Sequence, residues 1–169
     1  MSEIELLVER IASPIGDLLI VHDGEALCAL EFADHAERMR MLLARRYSAF
    51  RLTEGPASSD AAAAVRAYFE GDRQAVAGLS ADGGGTDFQR RVWQALRAIP
   101  IGATVTYREL AARLGIPKAT RAVASANALN PVSIVVPCHR VIGSDGALRG
   151  YSGGLARKRW LLAHEGVTL

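Results

Sequence analysis

Cysteine is scarce in this chain: only Cys28 and Cys138 occur among 169 residues. They stand 110 positions apart, and the Met1-Ser2-Glu3 start carries no secretory signature, so free thiols in a reducing, cytoplasmic compartment are expected rather than a disulfide framework. No apolar run approaches the roughly 18 residues that cross a bilayer. The alanine-rich stretch 61–65 is closed off by Asp60 and Arg66, so no membrane partner is expected. The four histidines (His22, His35, His139, His164) and two cysteines show none of the paired spacings of zinc sites. Neither a metal nor a cofactor is expected. Internal repeats are absent too, and the half of the chain that is apolar suffices for one domain, or two small ones, with a real core.

Lysine is missing from the first 85 residues. There 8 arginines face 14 acidic residues, a balance of −6; residues 86–169 hold 10 arginines and 2 lysines against 4 acids, a balance of +8. The formal net charge of +2 hides this contrast. A basic, arginine-rich half is the footprint of a surface that meets a polyanion, and equally of solvated helix faces, so charge alone does not decide.

The first half carries the pattern of a small antiparallel sheet with helices attached. Strands are expected at 4–8, 18–21 and 26–32, with a turn at Pro14-Ile15-Gly16 and a hairpin signal at Asp23-Gly24. Cys28 falls in the third strand on one face with Ala26, Leu30 and Phe32, which marks it as core. Helical stretches follow near 36–47 and 60–69. Ser80-Ala81-Asp82-Gly83-Gly84-Gly85 has linker composition, so subdomains at 1–80 and 86–169 are expected, joined by 81–85. Beyond it, Thr86 with Gln89 forms a capping-box pattern, and Phe88, Val92, Leu96 and Ile99 recur at helical spacing up to Pro100. Thr106 with Glu109 opens another helix, ended by Gly115, and a further helix is expected over 118–129 before Asn130-Pro131. Two helices around a tight turn suggest a helix-turn-helix. The second carries Arg121 and then Ala122-Val123-Ala124-Ser125-Ala126-Asn127-Ala128, small side chains that permit close approach to DNA or to another helix.

Pro137-Cys138-His139-Arg140-Val141, after the apolar Ile134-Val135-Val136, places a thiol beside a base and a cation. Such neighbours make a thiolate, and so an activated nucleophile. Adjacent side chains do not face each other on a helix or strand, so Cys138 and His139 are expected to communicate through an irregular turn or a bridging water. Glu165, at the C-terminus of a last helix expected over 155–164, opposes the macrodipole by ~0.3 to 1 kcal/mol. Accepting the second ring N-H of His139, as the third member of a Cys-His-acid relay, would explain it. The loop Gly150-Tyr151-Ser152-Gly153-Gly154 offers backbone N-H groups and a hydroxyl.

These residues resemble one family. Phe88-Gln89-Arg90-Arg91-Val92-Trp93, Tyr107, Lys118-Ala119-Thr120-Arg121-Ala122-Val123, Asn130-Pro131, Pro137-Cys138-His139-Arg140-Val141 and the loop from Gly150 to Gly154 are similar, in order, to motifs of the O6-alkylguanine-DNA alkyltransferases. The resemblance implies an α/β fold: a ribonuclease H-like N-terminal subdomain and a mainly helical C-terminal one with a DNA-binding helix-turn-helix. It implies that Cys138 takes the alkyl group from guanine O6 once and irreversibly. His139 would deprotonate it through water, Glu165 would orient the imidazole, and Asn130 would support the network. Tyr107 would donate to the base at N3, the Ser152 N-H would meet O6, and Tyr151, Gly153 and Lys158 would complete the pocket. Arg121 would fill the stack vacated by the flipped nucleotide, with Thr106, Ala122 and Ser125 on the DNA face, in the minor groove of double-stranded DNA. A monomer is expected, with cooperative assembly along DNA left open. The zinc ligands of some relatives are lacking, and so is a cysteine-rich sensor domain, which speaks against a transcriptional role. Two other functions fit part of the pattern: a lesion-binding or regulatory DNA module that transfers nothing, and a Cys-His hydrolase.

Overall fold

The computed structural model describes residues 3–168; Met1 and Ser2 of the expected non-secretory start lie outside them. Two compact units form. The first comprises residues up to Gly84 together with Pro131–Val135, and the second comprises Gly85–Asn130 and Val136–Leu169. The C-terminal unit is therefore discontinuous, in contrast to the unbroken 86–169 expected above.

In the first unit, β1 (Ile4–Ile11), β2 (Leu18–His22), β3 (Leu27–Phe32) and β4 (Phe50–Glu54) form one sheet in the order β3-β2-β1-β4. The β1-β2 and β2-β3 pairs are antiparallel, with Ile11 opposite Leu18 and Leu18 opposite Phe32. The sheet is not purely antiparallel, however, because β4 pairs parallel to β1, Ile4 opposite Phe50 and Val8 opposite Glu54. This pairing requires a crossover, supplied by α1 (Ala36–Arg46), which packs on the sheet through Met39 and Leu43, one turn apart. Cys28 is buried in that core with Leu6, Val21 and Ala29, its Sγ 3.5 Å from the Tyr47 hydroxyl. α2 (Asp60–Phe69) is capped by Ser59, whose Oγ accepts from the Ala62 N-H at 3.1 Å. Glu9 is buried but satisfied, bonded by the Ser59 hydroxyl and N-H and by His22.

All of β3 is buried although it lies at a sheet edge. Two segments cover it. The Leu27 N-H donates to the Ser80 carbonyl and the Asp82 N-H to the Leu27 carbonyl, while Leu30 exchanges bonds of 3.0 and 3.1 Å with Pro131 and Ser133. Residues 80–82 are thus paired backbone rather than the free linker their composition suggests, and 131–133 belong to this unit because an exposed edge would otherwise remain. Ile134 follows at φ 72, with the Val135 N-H bonded to the Ser133 carbonyl at 2.8 Å. A β-branched residue there costs about 1–3 kcal/mol, offset by its near-complete burial.

The second unit is mainly helical: α3 (Asp87–Arg97), α4 (Tyr107–Arg113), α5 (Thr120–Ala128) and α6 (Leu155–His164). The capping box at Thr86 and Gln89 forms in full, and α3 buries Val92, Trp93 and Leu96. Trp93 Nε1 donates to the Ala126 carbonyl at 2.9 Å, tying α3 to α5. Gly85, at φ 81, sits so close to the Trp93 ring that a Cβ would fall 2.7 Å from it. At Thr106 only half of the expected box appears, the threonine Oγ accepting from the Glu109 N-H at 3.0 Å. α4 ends in a Schellman motif at Gly115 (φ 76), where the Gly115 and Ile116 N-H groups return to the Ala112 and Ala111 carbonyls. A short parallel pair, β5 (Val105–Thr106) and β6 (Val141–Ile142), sets the start of α4 beside the segment that follows Cys138.

Candidate active site

All the residues that form the site belong to the second unit. Cys138 opens a 3₁₀ turn, Cys138–Arg140, between Pro137 and β6. The Cys138 N-H returns to the Val136 carbonyl at 2.8 Å and the Arg140 N-H to the Pro137 carbonyl at 3.0 Å, so the backbone is irregular where adjacent side chains must cooperate. Asn130 explains why the turn stays in place. Its Nδ2 donates to the Val136 carbonyl at 2.7 Å, clamping the two ends of the excursion that leaves and rejoins this unit.

Cys138, His139 and Arg140 are all buried. His139 Nε2 lies 2.8 Å from Glu165 Oε2. Glu165 is the C-cap of α6 and is also buried. Burial opposes its ionisation, but the hydrogen bonds and charges of His139 and Arg140 outweigh that and hold its carboxyl well below the usual range. For His139 the balance goes the other way. Burial lowers its pKa, Glu165 opposes this, and the Arg140 and Lys158 charges add to the lowering. A neutral imidazole next to an ionised carboxylate carries its hydrogen on Nε2 and donates it to Glu165. Nδ1 is then the basic nitrogen, and it has no hydrogen-bond partner among the described residues.

Arg140 was read above as a charge beside the thiol, and its place is different. Its Nε donates to Glu165 Oε1 at 2.8 Å, its Nη2 to Oε2 at 3.1 Å and its Nη1 to the Ile99 carbonyl at 2.7 Å. The guanidinium is spent on the carboxylate. No local signal could reveal this, because the partner is 25 residues away.

Tyr107, the first residue of α4, donates its hydroxyl to the Arg149 carbonyl at 3.2 Å. Burial raises its pKa, and the negative charge of a Cys138 thiolate adds to this. Lys158 is fully buried, and its Nζ donates to the carbonyls of Val141 (2.6 Å), Arg149 (2.6 Å) and Gly150 (3.2 Å). Its pKa is pushed down to about 8 by burial, a shift resisted by the Cys138 charge. The substrate contact expected of Lys158 gives way to a staple: three carbonyls use its three donors and pin the loop. Tyr151 lies edge-on to His139, ring centroids 6.4 Å apart. Ser152 is half-buried, and Gly153 is buried with its carbonyl accepting from Arg157.

On α5 the buried face carries Val123, Ala126 and Asn127. Arg121, Ala122, Ser125 and Ala128 share the exposed face, and Arg121 forms no ion pair among the described residues. Thr106 is the α4 cap, its hydroxyl oxygen accepting from the Glu109 N-H and its O-H left to donate.

A thiol next in sequence to a carboxylate-held imidazole, on a unit in which two helices flank a tight turn, is the class of a candidate cysteine nucleophile with a helix-turn-helix beside it in the chain. Comparison makes the class particular. The family model described as 6-O-methylguanine DNA methyltransferase, ribonuclease-like domain, matches residues 6–80, and the one described as its DNA binding domain matches residues 87–167. The methylated-DNA-protein-cysteine methyltransferase of Salmonella typhimurium is 47% identical over 169 residues, 98% of this chain and 99% of that one. Its namesake in Mycobacterium leprae is 44% identical over 156 residues, covering 90% and 88%. The crystal structure of Mycobacterium tuberculosis OGT in complex with DNA matches with a TM-score of 0.79 at 41% identity, covering 94% of this chain and 92% of that one. The chain belongs to the 6-O-methylguanine DNA methyltransferase family.

Proposed function

We propose that this protein repairs DNA by direct reversal, transferring the alkyl group of O6-alkylguanine to Cys138 and being consumed in the transfer. The observation that carries this reading is the His139-Glu165 pair at 2.8 Å, which leaves Nδ1 as the basic nitrogen of the residue that follows the cysteine in the turn. The Cys138 proton passes to Nδ1 through water. The sulfur then attacks the alkyl carbon, the carbon-O6 bond breaks, and its electron pair returns to the base, which takes up one proton. A thioether has no hydrolytic exit, so one molecule serves one lesion.

The base must leave the duplex to reach a buried thiol, at a cost of a few kcal/mol. Arg121 fills the gap, and the small exposed residues Ala122 and Ser125 let α5 approach the minor groove. In the flipped state Tyr107 gives up the Arg149 carbonyl and donates to the base, the Ser152 N-H meets O6, and Tyr151 walls the pocket. Lys158 still holds the Arg149 carbonyl when Tyr107 leaves it. Binding is sequence-tolerant and weakens with salt. The protein works as a monomer where the genome is, in the cytoplasm. Among the described residues no helix is long and apolar enough to cross a membrane.

Intact-protein and peptide mass spectrometry after mixing with a duplex carrying one O6-methylguanine tests this. One methyl group on Cys138 is expected, and none on Cys138→Ala, which still binds the duplex. Bound DNA with no methyl gained by the wild type would make the protein a lesion-binding module instead.

A further inference from the structure

Arg140 stands outside the relay of thiol, base and acid, yet it is held by three hydrogen bonds, as many as Lys158 makes. It is buried, forks onto both oxygens of Glu165 and anchors to the Ile99 carbonyl. A lone histidine-carboxylate pair in a buried site has a hazard. The carboxylate attracts a proton onto the imidazole, and an imidazolium has both nitrogens protonated and no lone pair with which to take a proton from a thiol. Fixed positive charge on the carboxylate weakens the attraction without removing the hydrogen bond.

We propose that Arg140 is a positioning residue that mutes the Glu165 charge and so keeps His139 neutral, a base rather than an imidazolium. The inference rests on the relay proposed above and adds the group that sets its protonation state. The charges around His139 are consistent with it. From α6 come Glu165, which favours the imidazolium, and Lys158, which disfavours it; from the turn itself come Arg140 and Cys138; Tyr107 at the start of α4 and Tyr151 in the loop are uncharged as phenols. α3 packs on the same turn. Glu165 is the carboxylate that acts on His139, and Arg140 is a cation bonded to it. A lysine would not substitute, since one ammonium cannot satisfy two carboxylate oxygens and a carbonyl in a fixed plane.

The test is the pH dependence of alkyl transfer from O6-methylguanine duplex, with wild type, Arg140→Met, Arg140→Lys and the double variant Arg140→Met with Glu165→Gln. In Arg140→Met the acid limb of the rate should move up by about one pH unit, so that transfer is about tenfold slower at pH values below both limbs yet within about threefold of wild type at pH 9. Arg140→Lys should fall between. The double variant, having lost the carboxylate that attracts the proton, should return the limb toward the wild-type position. In parallel, NMR titration of the His139 ring should show the same displacement without any reaction. A rate lowered equally at every pH, or a His139 titration unmoved in Arg140→Met, would overturn the proposal and leave Arg140 a purely structural clamp. Should wild type transfer no alkyl group at any pH, the relay reading itself fails. The ring titration then still decides the role of Arg140.

Discussion

At the scale of single residues, the site is a set of buried charges that cancel. Removing one partner leaves the others unpaired: Glu165→Gln strands the Arg140 guanidinium, which by precedent for broken buried pairs costs about 3–5 kcal/mol. The melting temperature should fall by several degrees; an unchanged one would mean the pair contributes nothing. Acid should act in the same direction. The folded pKa of Glu165 lies below its ordinary 4.5, so the stability it contributes is present above that value and is lost as pH falls. The folded His139 pKa also lies below its ordinary 6.5, so the unfolded chain takes up a proton first and stability begins to drop below that pH. Thermal melts should be flat near neutrality, decline below about pH 6.5 and decline further below about pH 4.5; melting temperatures that rise on acidification would contradict both assignments. Cys138 and His139 were legible in the sequence because they are neighbours, and Glu165, 26 positions from His139, because an acid at a helix C-terminus opposes the macrodipole. Arg140 and Lys158 were misread because a long cationic side chain reveals nothing of where its head lies. Here one binds a carboxylate 25 positions on and the other three carbonyls.

At the scale of elements, the proposed function assigns DNA handling to α5 and the chemistry to the turn at Cys138. Arg121→Ala should slow transfer from duplex DNA by about tenfold or more, because the flipped-out state loses its plug, while transfer from the free base O6-benzylguanine stays near wild type. Equal loss with both substrates would show that Arg121 supports the fold or the reaction. Ser125→Leu, on the same exposed face, should weaken duplex affinity with no change in melting temperature; a gel-shift titration unchanged from wild type would remove α5 from the interface. The helices were readable from their caps and stops: Thr86 and Thr106 open two of them, Gly115 closes one, and the last runs over Leu155–His164 as expected. What escaped was non-local. β4 has only five residues, of which Phe50 and Leu52 alone are apolar, and its parallel partner lies across a whole helix. Pro131–Val135 looks like the apolar lead-in to the nucleophile, yet 131–133 seal the edge of β3. Periodicity carries no information about either pairing.

At the scale of the whole molecule, acid and base are segregated along the chain: the balance is −6 over residues 1–85 and +8 over 86–169. The basic half holds the thiol and the two-helix element, and it matches the DNA binding domain of the family. The central claim is that this protein is a stoichiometric reagent: a thiol activated by a neutral histidine accepts one alkyl group and keeps it. Titrating a fixed amount of protein with an excess of O6-methylguanine duplex, and counting restored guanines over time, tests it most directly. A burst that stops at one guanine per protein is predicted; continued release of restored guanine beyond that ratio would show a thioether that turns over and would contradict the account.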